Sequence, residues 1–341
     1  MRASFSIAIA AVLGWQAAAY AQDHAEFYRG KTIQLLIAYT SGGNYDLHAR
    51  ILARHIGKHI PGNPTVVPQN FVGAAGLRLA NFLYNVAPKD GTTIAILARG
   101  SSTEPVLGNT AAQFDARRYT WIGSVADEVS VCVSWHTSKV KTFEDMLTRP
   151  FVVGGQGPSS DANLFASLLR SVFGAKTQIV SGYPGTNEIS LAMERGEVEG
   201  RCGWAWGSVK VSRGDWLATK KINVILQIAL QRAPDLPGVP LVMDLARNEP
   251  ERKMLQLMFS RQHMAWPFAA PPDLPAERTA LLRAAFDATM KDPDYLAEAN
   301  QRGLEVNPMP GAAMQALVQD LYDTPTGVVA ATKAAIAEGM K

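Results

Sequence analysis

The sequence predicts an α/β protein of two domains, and three observations carry the prediction. The 341 residues exceed what a single hydrophobic core usually organises. Short apolar runs alternate with amphipathic stretches, the pattern of strand–helix units stacked in layers. Glycine-rich segments fall where the apolar runs end, which is where open α/β sheets bind ligands. Composition narrows the class further. With 47% apolar and 18% charged residues the chain is neither disordered nor low-complexity. The 33 Lys and Arg against 30 Asp and Glu leave a net charge of +3, which is no nucleic-acid footprint. Two cysteines exclude a disulfide framework and a four-cysteine zinc site.

The elements follow in chain order. Residues 1–21, MRASFSIAIAAVLGWQAAAYA, carry Arg2, an apolar stretch from Phe5 to Trp15 and the small-residue end Ala19-Tyr20-Ala21. This predicts a secretory signal cleaved after Ala21, because the apolar stretch is shorter than the ~20 residues a membrane span needs. Strands are predicted at IQLLIAY (33–39), PTVVPQ (64–69), TTIAIL (92–97), VSVCVSW (129–135), FVVGG (151–155), QIVSG (178–182), VEGRCGW (198–204) and INVILQIAL (222–230). Several are continuous apolar runs, as strands covered on both faces of a parallel sheet should be. A helix is predicted over 46–60, with Ala49, Leu52, Ala53, Ile56 and Ile60 on one side and Arg50, Arg54 and Lys58 on another. Helices follow at 161–173 and at 187–195, the latter with Asn187 as a candidate cap, and the chain is mostly helical from Pro275 onward. In an exported protein Cys132 and Cys202 are either one disulfide or two buried thiols, since spacing does not fix the distance between them.

Five glycine-rich loops follow strands: 39–46, 70–76, 99–102, 154–161 and 182–185. Glycine lets backbone approach a ligand, and the free N–H groups of a helix N-terminus favour an anion. Two or three such ends converging on one cleft hold a carboxylate without any Arg. Nucleotide motifs are absent, since Gly155-Gln-Gly157 lacks the third glycine of G-x-G-x-x-G and no P-loop occurs. His48, His55 and His59 share a helix face, but His48 lies about 10 Å further along the axis, so the three do not meet at one metal ion. Ser41, Ser101 and Ser159 lie on cleft-like loops, which keeps an exported serine hydrolase as the rival reading. It lacks a G-x-S-x-G elbow, and only His136 and His263 offer a base. Trp204 and Trp206, on alternate positions of one strand, are candidates for a shared cleft wall.

At these loops the chain resembles the substrate-binding proteins of tripartite tricarboxylate transporters, the Bug or TctC-like extracytoplasmic solute receptors. The resemblance rests on SGGNYD (41–46) followed by Arg50, NFVGAAG (70–76), APKDGTT (87–93), GQGPSS (155–160), YPG (183–185), GEVE (196–199) and PPDLPA (271–276). It implies a periplasmic-binding-protein (Venus flytrap) fold, two α/β domains around a ligand cleft. Residues 22–124 plus 236–341 are expected to form one domain and 125–235 the other. It further implies a periplasmic, non-enzymatic monomer with no cofactor and no metal. Its ligand is a small organic acid, and its partners are the membrane permease subunits of such a transporter or a sensor protein. The ligand contacts carried over by position are Ser41, Gly42, Gly43, Asn44, Gly73, Ala74 and Ser101 from the first domain, and Gln156, Gly157, Ser159, Ser160, Tyr183 and Trp204 from the second. Pro184 stands where the family commonly has Lys, which weighs against a multiply charged tricarboxylate.

Overall fold

The computed structural model describes residues 26–341, so the expected signal segment lies outside the described residues. Two sheets organise the chain. The first holds β1 (Thr32–Ile37), β2 (Thr65–Asn70), β3 (Thr93–Ile96), β4 (Thr120–Ser124), β10 (Pro267–Ala270) and β11 (Met309–Pro310), in the order β11-β4-β10-β3-β1-β2. The second holds β5 (Ser130–Trp135), β6 (Phe151–Gly155), β7 (Thr177–Ser181), β8 (Gly200–Ala205) and β9 (Ile222–Ile228), in the order β7-β6-β8-β5-β9.

Each sheet is parallel only in part. β1 pairs parallel with β2 and β3, and β6 with β7 and β8. β10 runs antiparallel to β3 and β4, and β5 antiparallel to β8 and β9. The purely parallel sheets suggested by strand–helix alternation therefore give way to mixed ones. β5 and β10 are the strands at which the chain passes between the sheets: β4 leads directly into β5, and the return from β9 into β10 runs through residues 229–266.

Helices cover both faces of each sheet. In the first, Ile33, Leu35 and Ile37 of β1 pack with α1 (Asn44–Ile56), α8 (Ala276–Thr289) and α9 (Pro293–Gln301). Leu36, Ala95 and Trp121 face the other way, toward α2 (Leu77–Asn85) and α10 (Gly311–Tyr322). In the second, Cys132, Phe151, Val153, Cys202 and Leu226 pack with α3 (Phe143–Thr148), α4 (Asp161–Phe173) and α7 (Glu249–Phe259). Val131, Val133 and Trp204 lie on the opposite face with α5 (Thr186–Glu194) and α6 (Trp206–Ala218). Leu255, Met258 and Phe259 of α7 join this second core, as does Ile336 of the last helix, α11 (Thr326–Gly339). Much of 236–264 and the C-terminal helix thus packs with the second sheet, where the sequence placed 236–341 with the first. The approach of α11 to α4 is close enough that a Cβ at Gly339 would overlap the Ser167 carbonyl.

Two local readings change, and one left open is decided. α5 begins at Thr186 with Gly185 as its cap residue, so Asn187 lies inside the helix. β8 ends at Ala205, and Trp206 opens α6 with its Nε1 donating to Asp235 Oδ2 at 2.9 Å, so the two tryptophans share no strand face. The Sγ atoms of Cys132 and Cys202 are bonded, tying neighbouring strands β5 and β8.

Candidate functional site

A cavity of about 80 Å³ lies between the two sheets' loop ends. Its first-lobe wall is the turn from β1 into α1 (Tyr39, Thr40, Gly43, Asn44, Tyr45), the short turn after β3 (Ala98–Gly100) and Trp266. Its second-lobe wall is the turn from β6 into α4 (Gln156, Ser159–Ala162), the start of α5 (Gly185, Thr186), strand β8 and Ser208. Three helices of nine or more residues therefore point their N-termini at one space. α1 and α5 carry no side-chain cap, so their first N–H groups are not consumed by a capping oxygen.

Of the residues inferred from sequence, Gly43, Asn44, Gln156, Ser159, Ser160 and Trp204 line this cavity. Ser41, Gly42, Gly73, Ala74, Ser101, Gly157 and Tyr183 do not line it. Their positions have physical reasons. Gly42 spends its N–H on Asp46 Oδ2 at 3.0 Å, and Gly157 spends its own on Asn163 Oδ1 at 3.1 Å. Ser101 is buried beneath Arg99 and Gly100, which take its place at the wall. Ala74 is exposed in a loop outside the cavity, and Tyr183 packs on the core between β5, β8 and α6.

Sequence reasoning passed over the charged residues. It assigned anion recognition to backbone groups alone, yet Arg99, Asp161 and Arg201 all line the cavity. Arg99 donates through Nε to Asp161 Oδ2, through Nη2 to Ser130 Oγ at 2.9 Å and through Nη1 to Gln262 Oε1 at 3.2 Å. Arg261, fully buried, donates to Asp161 Oδ1 at 3.2 Å and to Thr103 Oγ1. Asp161 sits in the first turn of α4, where the helix end also favours its charge. Burial opposes the charge of Arg99, but the Asp161 carboxylate beside it outweighs burial and holds the guanidinium protonated. A second cross-cleft contact, Asn109 Nδ2 to Ser159 Oγ at 2.9 Å, lies beside this network.

Arg201 reaches the wall through a bulge. Val131 pairs with Trp204 and Val133 with Arg201, so two residues of β8 stand opposite Cys132 alone. Gly203 takes the left-handed φ of +69°, and a Cβ there would lie 2.8 Å from the Asp161 carbonyl. The extra residue turns Arg201 and Trp204, three apart and otherwise on opposite faces, onto one face. The guanidinium carbon lies 4.8 Å from the Trp204 ring centroid. In the sequence Arg201 is one of two charges, with Glu199, in the strand expected at 198–204, and nothing local marks it as buried.

The remaining candidates resolve structurally. His48 is buried, stacked on Trp266 at 4.7 Å, and burial lowers its pKa to about 3. His55 of α1 contacts Glu298 of α9 at 2.9 Å, and His59, in the turn after α1, contacts Asp292, the cap residue of α9, at 2.6 Å. Among the described residues no group of three His, Cys, Asp or Glu is arranged to hold a metal ion, and no helix is long and apolar enough to cross a membrane. Among the described residues no histidine lines the cavity, and Ser159 and Ser160 bond to Asn109 and Asn163.

Comparison with known proteins places this architecture in a class. No protein-family model matches the chain. A curated sequence, the UPF0065 protein in the gbd 5' region of Cupriavidus necator, is 41% identical over 82 residues, and the match spans 24% of this chain and 24% of that relative. Solved structures align far more widely. The periplasmic binding protein BugD matches with a TM-score of 0.71 at 20% identity, over 90% of this chain and 98% of its own. An R. palustris protein solved with adipate matches at 0.70 and 19% identity, over 89% and 98%. A ligand-free TctC solute-binding protein from Polaromonas matches at 0.62 and 20% identity, over 91% and 99%. The chain therefore has the two-lobed fold of the TctC and Bug solute-binding proteins, and the resemblance read from its loops holds at the level of fold.

Proposed function

We propose that this chain is an extracytoplasmic solute receptor of the Bug or TctC type, closing on one small organic acid in the cavity between its lobes. The observation that carries the reading is the convergence of the α1, α4 and α5 N-termini on one cavity lined from both lobes. Among the described residues no histidine stands in that wall, which supports binding over hydrolysis. We take residues 26–125 and 265–322 as the first lobe and 126–264 with 326–341 as the second, a division supported by the two sets of cores. Gly43, Asn44, Gln156, Ser159, Ser160 and Trp204 are our ligand contacts, supported by their position in the wall. The mechanism is a population shift: a ligand touching both lobes binds the closed form and draws the open form toward it. The mature protein begins after Ala21, acts as a monomer in the periplasm and presents its ligand to permease subunits or to a sensor.

A thermal-shift screen of the mature protein against mono-, di- and tricarboxylates and aromatic acids tests this. A true ligand at 100 times its dissociation constant should add ~2.7 kcal/mol of stability. Silence across every acid, with turnover of an ester substrate, overturns the receptor reading. N-terminal sequencing of protein recovered from the periplasm should begin at Gln22.

A further inference from the structure

We propose that Arg201 receives the ligand's carboxylate, and that the cavity is built for a small monocarboxylate with a flat, aromatic body. This rests on the receptor reading and specifies its ligand.

Arg201 is 2% exposed, and its Nε and Nη1 are buried with no hydrogen-bond partner. Among the described residues no carboxylate lies within ion-pair distance of it. The nearest acid, Asp161, has one oxygen on Arg99 and the other on Arg261. A guanidinium is rarely deprotonated, and one buried without counter-charge is destabilising unless something supplies that charge. Stacking over Trp204 does not supply it. That contact engages the face of the guanidinium and leaves its edge N–H groups, the fork that fits a carboxylate in two parallel bonds, unbonded. The buried Trp204 Nε1 also lacks a partner and adds a donor on the same wall. Burial, with Arg99 and Arg213 nearby, lowers the Arg201 pKa to about 9, which leaves it charged at neutral pH and responsive to an incoming anion.

The same accounting of charge sets the number of carboxylates. Among the described residues Arg99 and Arg201 are the cations of the cavity wall, and Arg99 is already paired with Asp161, which also pairs with Arg261. One unpaired cation matches one carboxylate; a second carboxylate would meet Asp161. The rest of the wall fits a flat apolar body. Tyr39, Tyr45 and Trp266 form a continuous aromatic cluster, with ring centroids 4.6 and 4.8 Å apart, opposite Trp204. Closure over an empty cavity leaves Arg201 unpaired, and closure over a carboxylate does not, so the residue couples binding to closure.

The test is calorimetric titration and thermal shift on the mature protein and its Arg201→Met and Arg201→Lys variants. The probes are benzoate, 4-hydroxybenzoate, phenylacetate, benzamide, adipate and citrate. An aromatic monocarboxylate should bind at least tenfold more tightly than adipate or citrate, and benzamide should not bind measurably. Arg201→Met should weaken the monocarboxylate by roughly 100-fold, the loss of a charged hydrogen-bonded pair. Arg201→Lys should fall between, keeping charge without the fork. The unliganded Arg201→Met protein should melt at or above the wild-type temperature, because an unpaired buried charge has been removed. Wild-type affinity in Arg201→Met, or a tenfold preference for adipate or citrate, overturns this inference and leaves the receptor reading standing. Failure of every acid to bind the wild type overturns both.

Discussion

Glu128 has Oε1 accepting from the Gly207 N–H at 3.2 Å and Oε2 buried and unbonded. Burial pushes its pKa up to about 8, against the pull of Arg99, whose Nη1 is 3.9 Å away. The folded value lies above the ordinary 4.5, so the folded protein holds a proton here that the unfolded chain releases. Stability from this group is complete below about pH 4.5 and is lost as pH rises through about 8. Urea unfolding of Glu128→Gln should therefore lose part of the wild-type decline between pH 5 and 8.5, and at pH 8.5 the variant should be the more stable of the two. Equal slopes for both proteins would show that Glu128 ionises freely in the fold. Residues such as Glu128 and Arg201 were not legible as site residues, because charge in a sequence reads as solvent-facing until the fold buries it.

The elements themselves were largely legible. Strands at 33–39, 92–97, 151–155 and 222–230 and the helices at 46–60 and 161–173 reappear with ends shifted by a few residues, because their apolar content repeats at the strand or helix period. β4 and β10 escaped notice because TWIGS and PFAA are four or five residues long and interrupted by Gly or led by Pro. Only their place in the middle of a sheet buries them. The β8 bulge was equally invisible, since Gly203 reads as a turn residue until β5 pairs beside it. At this scale the Cys132–Cys202 bond closes a loop of sequence separation 70 between adjacent strands. Loop-closure entropy assigns it roughly 4 kcal/mol. The Cys132→Ala, Cys202→Ala double variant should unfold at a correspondingly lower urea midpoint with an unchanged circular-dichroism spectrum. Reductant should shift the wild type but not the variant, and a reductant-insensitive wild type would mean that the bond adds nothing.

Across the whole molecule, Asp161 is the second-lobe group that both Arg99 and Arg261 grip, and it does so at the mouth of the cavity. Removing it leaves two buried guanidinium groups without their carboxylate, a change of ~3–5 kcal/mol where such pairs have been broken. Because Arg99 belongs to the first lobe's wall, the expected release is opening as well as loss of stability. Small-angle X-ray scattering of unliganded Asp161→Ala should give a larger radius of gyration than wild type. An identical scattering curve would mean that other contacts, such as Asn109 to Ser159, hold the lobes together.

By itself the sequence determined the layered α/β class and the presence of two lobes, because periodicity and length are local properties of the chain. Tertiary structure alone decided which lobe takes 236–264 and α11, which strands turn antiparallel and which of the cleft loops reach the wall. It also decided that a site expected to be held by backbone N–H groups contains a buried guanidinium. The physical reason is that pairing register and burial are set by residues far apart in sequence. Val133 brings Arg201 to its face and Asp161 occupies Arg99 and Arg261, so the one cation of the wall without an ion-pair partner among the described residues emerges only when all of these strands and turns are packed together.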